Sequence, residues 1–271
     1  MNITFIGGGN MAGALITGLL QKGFDPQHIG VVEISAENRA RLGAKFGVAT
    51  YAAVGAPALA GDIVVLAVKP QQLFEVAQKL RGLIEGKLVI SIAAGVRGAD
   101  LSRWLGGHAQ LVRAMPNTPA MVLAGVTGLH ALPGVAESQR RQAETVLGAV
   151  GTTLWLDDES RMDAVTAISG SGPAYVFFFI EALQEAAVQL GFSPEEARVL
   201  GLETFAGAVA LAGQSSEDVA TLRARVTSKG GTTERAIQSM ESAGIKQAIV
   251  AAAKAACSRS QELGDELGKM G

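Results

Sequence analysis

Cysteine and histidine are nearly absent from this chain of 271 residues, which has one of the first, Cys257, and three of the second, His28, His108 and His130. A single cysteine excludes an intrachain disulfide and fits a reducing compartment. No His, Cys and Asp stand together at ligand spacing, so no metal site is expected. Basic clusters are missing as well: 23 Lys and Arg face 25 Asp and Glu, for a formal charge of −2. That balance argues against nucleic acid or any other polyanion as partner. The longest apolar runs, residues 63–68 and 175–180, fall short of the roughly 20 residues that cross a bilayer, so no membrane association is expected. The N-terminus, MNITFIGGGN, has no basic region ahead of its first apolar stretch and enters a strand at once, which argues against a secretory signal and for a cytoplasmic location.

What the chain does have is glycine and aliphatic residues. With 34 glycines, 48% hydrophobic and 18% charged residues, it suits a compact α/β protein. Up to about residue 156, short β-rich runs alternate with helical stretches. ITFIG (3–7), IGVVEI (29–34), DIVVLAV (62–68), KLVISI (87–92) and AQLVRAM (109–115) read as strands. The last three are nearly continuously apolar, as parallel strands covered on both faces are. MAGALITGLLQKG, SAENRARLGAKFG and PQQLFEVAQKLRGL between them read as helices. This alternation means a doubly wound sheet of Rossmann type, which VTGLHAL and TTLWL would extend. Beyond DDESR (157–161) the strand pattern stops and helical segments take over. The expected organisation is α/β, a dinucleotide-binding domain over 1–158 and an all-helical domain over 159–271. Phe177, Phe178 and Phe179 make the helix around 173–191 apolar nearly all round, and a subunit interface is the natural place to bury it.

Residues 7–12 read GGGNMA directly after the first strand and at the start of the first helix. In that context G-x-G-x-x-A is a dinucleotide fingerprint. Gly7 makes the tight turn, Gly9 lets the backbone approach a pyrophosphate and Ala12 permits close helix packing. Gly8, Asn10 and Met11 complete the loop at the helix N-terminus, which favours anions. Glu33 lies 24 residues past Gly9, where an acidic side chain accepts a bond from a ribose 2′-hydroxyl and repels a 2′-phosphate. Ser35, Asn38 and Arg39 follow at once and could instead hold a phosphate. NADPH and NADH both remain open as cofactor.

Three further segments, LAVKPQ (66–71), RAMPNTPA (113–120) and ISGSGPAYVFFFIEAL (168–183) with VTSKGGTT (226–233), in this order and spacing closely resemble pyrroline-5-carboxylate reductases. The likeness covers essentially the whole chain. It implies a Rossmann domain followed by a helical dimerisation domain, an active site made by the nucleotide domain of one subunit and the helices of the other, and a homodimer as the smallest assembly, with a ring of dimers above it. It also implies hydride transfer from NAD(P)H to the C=N carbon of 1-pyrroline-5-carboxylate, the last step of proline biosynthesis; the alternatives are a reductase of another cyclic imine and a non-catalytic dinucleotide-binding sensor. By the same likeness Val68, Lys69 and Pro70, together with Ala93 and Ala94, border the cofactor, and Asn117 and Thr118 lie beside nicotinamide and substrate. These positions follow strand C-terminal ends, where a doubly wound sheet binds its ligand. Pro70 also suits the first position of a helix, and Ser171, Gly172 and Pro173 suit a helix start with Ser171 as cap.

The break at Gly230 and Gly231 inside a helix-rich half needs a reason, because each glycine costs a helix about 1 kcal/mol relative to alanine. A turn with a helix N-cap supplies one and an anion site another; with the likeness to the reductases, the amides of Gly230, Gly231 and Thr232, beside Ser228, would bind the substrate carboxylate, and the Thr233 hydroxyl would reach the ring nitrogen as the catalytic contact. Lys229 stands where the reductases usually have proline. Ketone reduction calls for a His or Lys proton donor, and no histidine falls in a motif here; a cyclic imine can arrive protonated and needs orientation more. The β-hydroxyacid dehydrogenases share Gly170-Ser171-Gly172 but follow it with a catalytic lysine, where this chain has Val176.

Overall fold

The structure, a computed structural model, describes residues 1–270. It opens as β1 (Ile3–Ile6), α1 (Asn10–Gln21), β2 (Ile29–Val32), α2 (Ala36–Phe46), β3 (Ala49–Tyr51), β4 (Ile63–Leu66), α3 (Pro70–Leu80), β5 (Leu88–Ser91), α4 (Gly98–Trp104), β6 (Leu111–Met115), β7 (Gly125–Ala131), α5 (Glu137–Leu147) and β8 (Gly151–Trp155). The eight strands form one sheet in the order β3-β2-β1-β4-β5-β6-β7-β8. From β3 to β6 every pair is parallel; β7 runs antiparallel to β6 and parallel to β8. The link 116–124 between β6 and β7 holds only a 3-10 turn, Thr118–Val122, and is too short for the crossover that a parallel pair requires. Helices cover both faces. Phe5, Leu15 and Val112 sit in the core on one side, and Val64, Leu73 and Trp104 in that on the other.

Local sequence explains most boundaries. Pro70 is the first residue of α3, and Gly47, in the left-handed region at φ 70°, ends α2. β3 and the short α4 escape pattern reading because three residues, or seven, carry too little periodicity; α5 hides because only Ala143, Val146 and Leu147 of its polar sequence are buried.

The remaining elements are α6 (Met162–Val165), a π turn (Thr166–Gly170), α7 (Gly172–Gln189), α8 (Pro194–Gln214), α9 (Val219–Arg225), α10 (Thr232–Ser242) and α11 (Ile245–Gly268). The chain divides into two compact units. One comprises Met1–Ser171 together with the chain from Ala255 on, the other Gly172–Lys254. The expected division at 158/159 falls inside the first unit, just ahead of α6. In that unit the last turns of α11 rest on the segment after β5. Leu267 is buried with Ala93 and Val96, Arg97 pairs with Asp265, and Ser260 Oγ donates to Asp163 Oδ1 at 2.6 Å.

Ser171 does not cap a helix start. Its backbone, at φ −83° and ψ −23°, is in the right-handed helical region rather than the extended one of a cap, its N–H donates to Thr166 O at 2.8 Å, and the turns over Glu159–Gln189 follow one another as a single helical span. The π turn absorbs Pro173, whose ring would otherwise clash with the carbonyl four residues back. This helix passes, by length and composition, for one able to cross a membrane: an 18-residue window reaches a mean hydropathy of 1.2 and is scarcely buried in the single chain. Counting consecutive apolar residues misses it, because Ser169–Pro173 interrupt the run while the helix continues. In the second unit α7 packs on α8, and Ser193 and Glu196 close a capping box with Pro194 at the first helical position. Phe177, Phe178, Val209 and Leu211 remain exposed on these helices.

Candidate active site

The β1–α1 turn is built as a dinucleotide cradle. Gly7, at φ 100°, has the Ala67 carbonyl oxygen 2.7 Å from where a Cβ would stand, so neither the backbone angle nor the space admits a side chain. A Cβ on Gly9 would meet nothing within 4 Å; its direction is open to a ligand, and Gly9 caps α1 without a side chain in the way. Ala12, in the first turn of α1, is buried in the core as close helix packing demands, while Asn10 is exposed and Met11 half-buried at the helix start. Above the C-terminal ends of β1, β2 and β4 lies a cleft of ≈ 420 Å³ lined by Gly7, Gly8, Gly9, Glu33, Val68 and Lys69 among others. Six expected cofactor contacts, drawn from three separate segments, thus meet at one place.

Glu33 is turned back toward this loop. Its carboxylate accepts from Gly8 N at 3.1 Å, Asn38 Nδ2 at 2.9 Å and Ser35 N at 2.9 Å. Partial burial pushes the carboxyl pKa up, but these bonds from Ser35, Asn38 and Gly8, with one from Ile34, outweigh it and hold the group below its ordinary value. Most of the carboxylate's lone-pair sites are therefore in use. Ser35 caps α2 through its hydroxyl. The Arg39 guanidinium donates to the carbonyls of Glu33 and Ile34 at 2.7 and 2.9 Å.

Pro70 fixes the start of α3 next to Lys69, which is exposed. Ala93 is buried and Ala94 half-buried after β5; like Asn10, Met11, Ala12, Ser35 and Pro70, they do not line the cleft. Gln72, Val76 and Lys79 do line it, and the sequence reading missed them. Their signal was the spacing 69, 72, 76, 79, one face of α3.

After β6, Pro116 is buried and Asn117 is 8% exposed, while Thr118 faces outward. The Asn117 side chain accepts from Val126 N at 2.9 Å and donates to Ser169 O at 3.1 Å. Inside β6 itself, Arg113 is buried and paired with Glu159 at 2.9 Å, and the same Glu159 oxygen accepts from Gly98 N at 2.6 Å. Pattern reading passed over both members of this pair, because nothing in their spacing announces a partner in another element.

In the second unit, Ser228–Gly231 form a turn closed by Gly231 N to Ser228 O at 3.0 Å. Gly230 has φ 74° and Lys229 is not in the left-handed region, the signature of a type II turn, whose second position favours proline. Gly231 then caps α10 with no side-chain bond, and Thr232 and Thr233 are exposed in its first turn. The Gly230 N–H donates to the Glu234 carboxylate at 2.7 Å. The histidine rings are engaged elsewhere: His108 Nε2 with Lys87 O, His130 Nδ1 with Leu156 O and His28 Nδ1 with Asn2 Oδ1.

Two family profiles match. Residues 159–263 match one described as pyrroline-5-carboxylate reductase dimerisation, and residues 2–95 one described as NADP oxidoreductase coenzyme F420-dependent. The pyrroline-5-carboxylate reductase of Pseudomonas aeruginosa is 44% identical over 268 residues, 98% of each chain. This chain belongs to the pyrroline-5-carboxylate reductase family. A solved reductase structure from Coxiella burnetii is 44% identical, with a TM-score of 0.91 over 97% of this chain and 98% of its own. That of Plasmodium falciparum, with NADP bound, is 29% identical at a TM-score of 0.87 over 97% and 98%. The cofactor of the family is NADPH or NADH, and the Gly9 cradle with the free N–H groups of the α1 first turn fits the pyrophosphate of either.

Proposed function

We propose that this chain reduces 1-pyrroline-5-carboxylate to L-proline with hydride from NADPH or NADH, the last step of proline biosynthesis. Whole-length identity to named reductases supports the activity. The observation that carries it to particular residues is the 228–233 turn, in which the N–H of a positive-φ glycine already holds a carboxylate, that of Glu234. Glu234 Oε2 occupies the place we assign to the substrate carboxylate. Substrate displaces it and takes the N–H groups of Gly230 and of Thr232, which as the first residue of α10 has no intrahelical acceptor. Gly231 shapes the turn through its bond to Ser228 and supplies no free donor.

Bound dihydronicotinamide supplies the hydride accepted by the C=N carbon. The ring nitrogen arrives protonated, so the protein's task is to orient rather than to donate. Thr233 Oγ accepts that N–H and fixes the ring while the Gly230 and Thr232 amides hold the carboxylate. Gly7, Gly8 and Gly9 with Asn10, Met11 and Ala12 form the pyrophosphate loop. Val68, Lys69, Pro70, Ala93 and Ala94 flank the path toward nicotinamide, and Glu33 with Ser35 lies at the ribose end. The enzyme acts in the cytoplasm as a homodimer through the apolar faces of α7 and α8, with a ring of dimers as its larger assembly. A partner subunit, rather than lipid, then covers the apolar helix that ends at Gln189.

The test is the initial rate of nicotinamide oxidation with pyrroline-5-carboxylate, with NADPH and with NADH, for the wild type and for Thr233→Ala. Removing one oriented contact of this kind should lower kcat about 10²-fold with cofactor affinity unchanged. Unchanged kinetics would remove Thr233 from the site, and absence of turnover by the wild type with both cofactors would overturn the function.

A further inference from the structure

Asn117 stands in the middle of the RAMPNTPA loop, yet both ends of its carboxamide are bonded within the fold. As the residue preceding the 3-10 turn Thr118–Val122 it is in the position from which an asparagine normally caps a turn, and it makes no such bond. Oδ1 instead accepts from Val126 N at 2.9 Å, closing the base of the loop, and Nδ2 donates to Ser169 O at 3.1 Å, fifty-two residues away in the π turn. The carbonyl it reaches has lost its ordinary partner. In an α-helix Ser169 O would receive the N–H of residue 173, and residue 173 is proline.

Two further features lock the same junction. A Cβ on Gly170 would stand 2.7 Å from Met115 Cε, and one on Gly128 would stand 2.8 Å from Val165 Cγ1. β6 and β7 therefore approach this helix as closely as backbone allows. The loop that the junction holds is strained: Leu123, at φ 60°, is the one non-glycine residue in the left-handed region among the described residues, a conformation that persists only where its surroundings enforce it.

We propose that Asn117 is a positioning residue that replaces the N–H missing at Pro173, and so fastens the 116–124 loop to the π turn. Asn117 then faces the fold, and the outward polar group of the loop, Thr118, is the one set beside nicotinamide and substrate. This assignment rests on the proposed reductase site and gives Asn117 a role through other residues rather than by touching the substrate.

A suppressor experiment tests it. Asn117→Asp keeps an acceptor for Val126 N–H, removes the donor to Ser169 O and sets a negative charge against that carbonyl, so Asn117→Ala, which removes the donor without adding a charge, is carried beside it with and without P173A. Pro173→Ala restores a backbone N–H to that carbonyl. Kinetics with pyrroline-5-carboxylate are measured for N117D, N117A, P173A, N117D/P173A, N117A/P173A and, alongside, Thr233→Ala. A loop shift of about 1 Å can cost about 10²-fold, so N117D is expected to lower kcat by at least about tenfold at little change in KM. Cofactor affinity should stay within about twofold, and P173A should bring N117D back to within about threefold of P173A alone.

Full activity of N117D would overturn the proposal, and if T233A is impaired in the same series the reductase site itself stands. A loss that P173A relieves in neither N117D nor the uncharged N117A would also overturn it, because the missing donor to Ser169 O would then not be what the loss reports. If N117D does not fold, recovery of folded, active protein in N117D/P173A supports the substitution of one donor for the other, and failure of the double variant to fold refutes it.

Discussion

Replacing Glu159 with glutamine isolates one charge at the junction between β6 and α4. The Glu159→Gln side chain keeps an oxygen for the Gly98 N–H and removes only the negative charge facing Arg113. Arg113, which it leaves behind, is 4% exposed, and its Nε already lacks a partner. Two routes give the size of the effect. Opposite charges about 4 Å apart at an effective dielectric near 20 attract by about 4 kcal/mol. Breaking a buried pair by deleting one member typically costs about 3–5 kcal/mol. The Glu159 side chain is 23% exposed, so water screens part of this and about 3 kcal/mol is the expected loss. At about 2–4 °C per kcal/mol for a chain of this size, Tm should fall by about 6–12 °C at fixed protein concentration. The double variant Arg113→Met/Glu159→Gln should lose less than E159Q alone, because the stranded cation is gone. Thermal unfolding followed by circular dichroism, completed as a double-mutant cycle, reads both. A Tm for E159Q within about 1 °C of wild type, or a double variant less stable than E159Q, would refute the view that an uncompensated buried charge sets the cost.

Two other outcomes follow from the turns. The Glu33 carboxyl sits below its ordinary pKa in the folded chain, so its bonds stabilise above the unfolded value of about 4.3 and that contribution is lost as pH falls through the lower folded pKa. Glu33→Gln should therefore be less stable than wild type at pH 7 in urea titrations, with the gap closing on acidification below about pH 4.3; a gap independent of pH would refute the assignment. Lys229→Pro should raise stability by about 0.4–1 kcal/mol, because proline is pre-set for the second position of the type II turn that Gly230 completes. The same stiffening should lower KM for substrate in the reductase assay, and a destabilised variant would mean that the turn is of another type.

Most of the fold was legible because its signals are local. An apolar run buried on both faces, a glycine required at φ 100° by the Ala67 carbonyl, and a proline able to begin α3 each act at short, fixed offsets that survive in the sequence. For the same reason the Gly7–Gly9 loop and the GGTT turn are legible as candidate anion sites: backbone N–H groups at a glycine-rich helix start are anion donors wherever the helix lies.

Tertiary structure decided what side-chain identity leaves free. Ser171-Gly172-Pro173 is locally a good helix start, and yet the helix passes through it, since a π turn and packing against Met115 outweigh the caps. Asn117 is equally able to face a substrate or a carbonyl; only the approach of Ser169 turns it inward. Glu33 could extend toward a ribose, and the Gly8 N–H brings it back. The sequence by itself determined the βα alternation, the dinucleotide loop, the helical second half and the glycine turn, because these depend on residues a few positions apart. The partners of Asn117, Glu33, Arg113 and Glu159 were settled by the packed fold, because a hydrogen bond across dozens of residues has no periodicity to read and exists only once the elements that carry it have met.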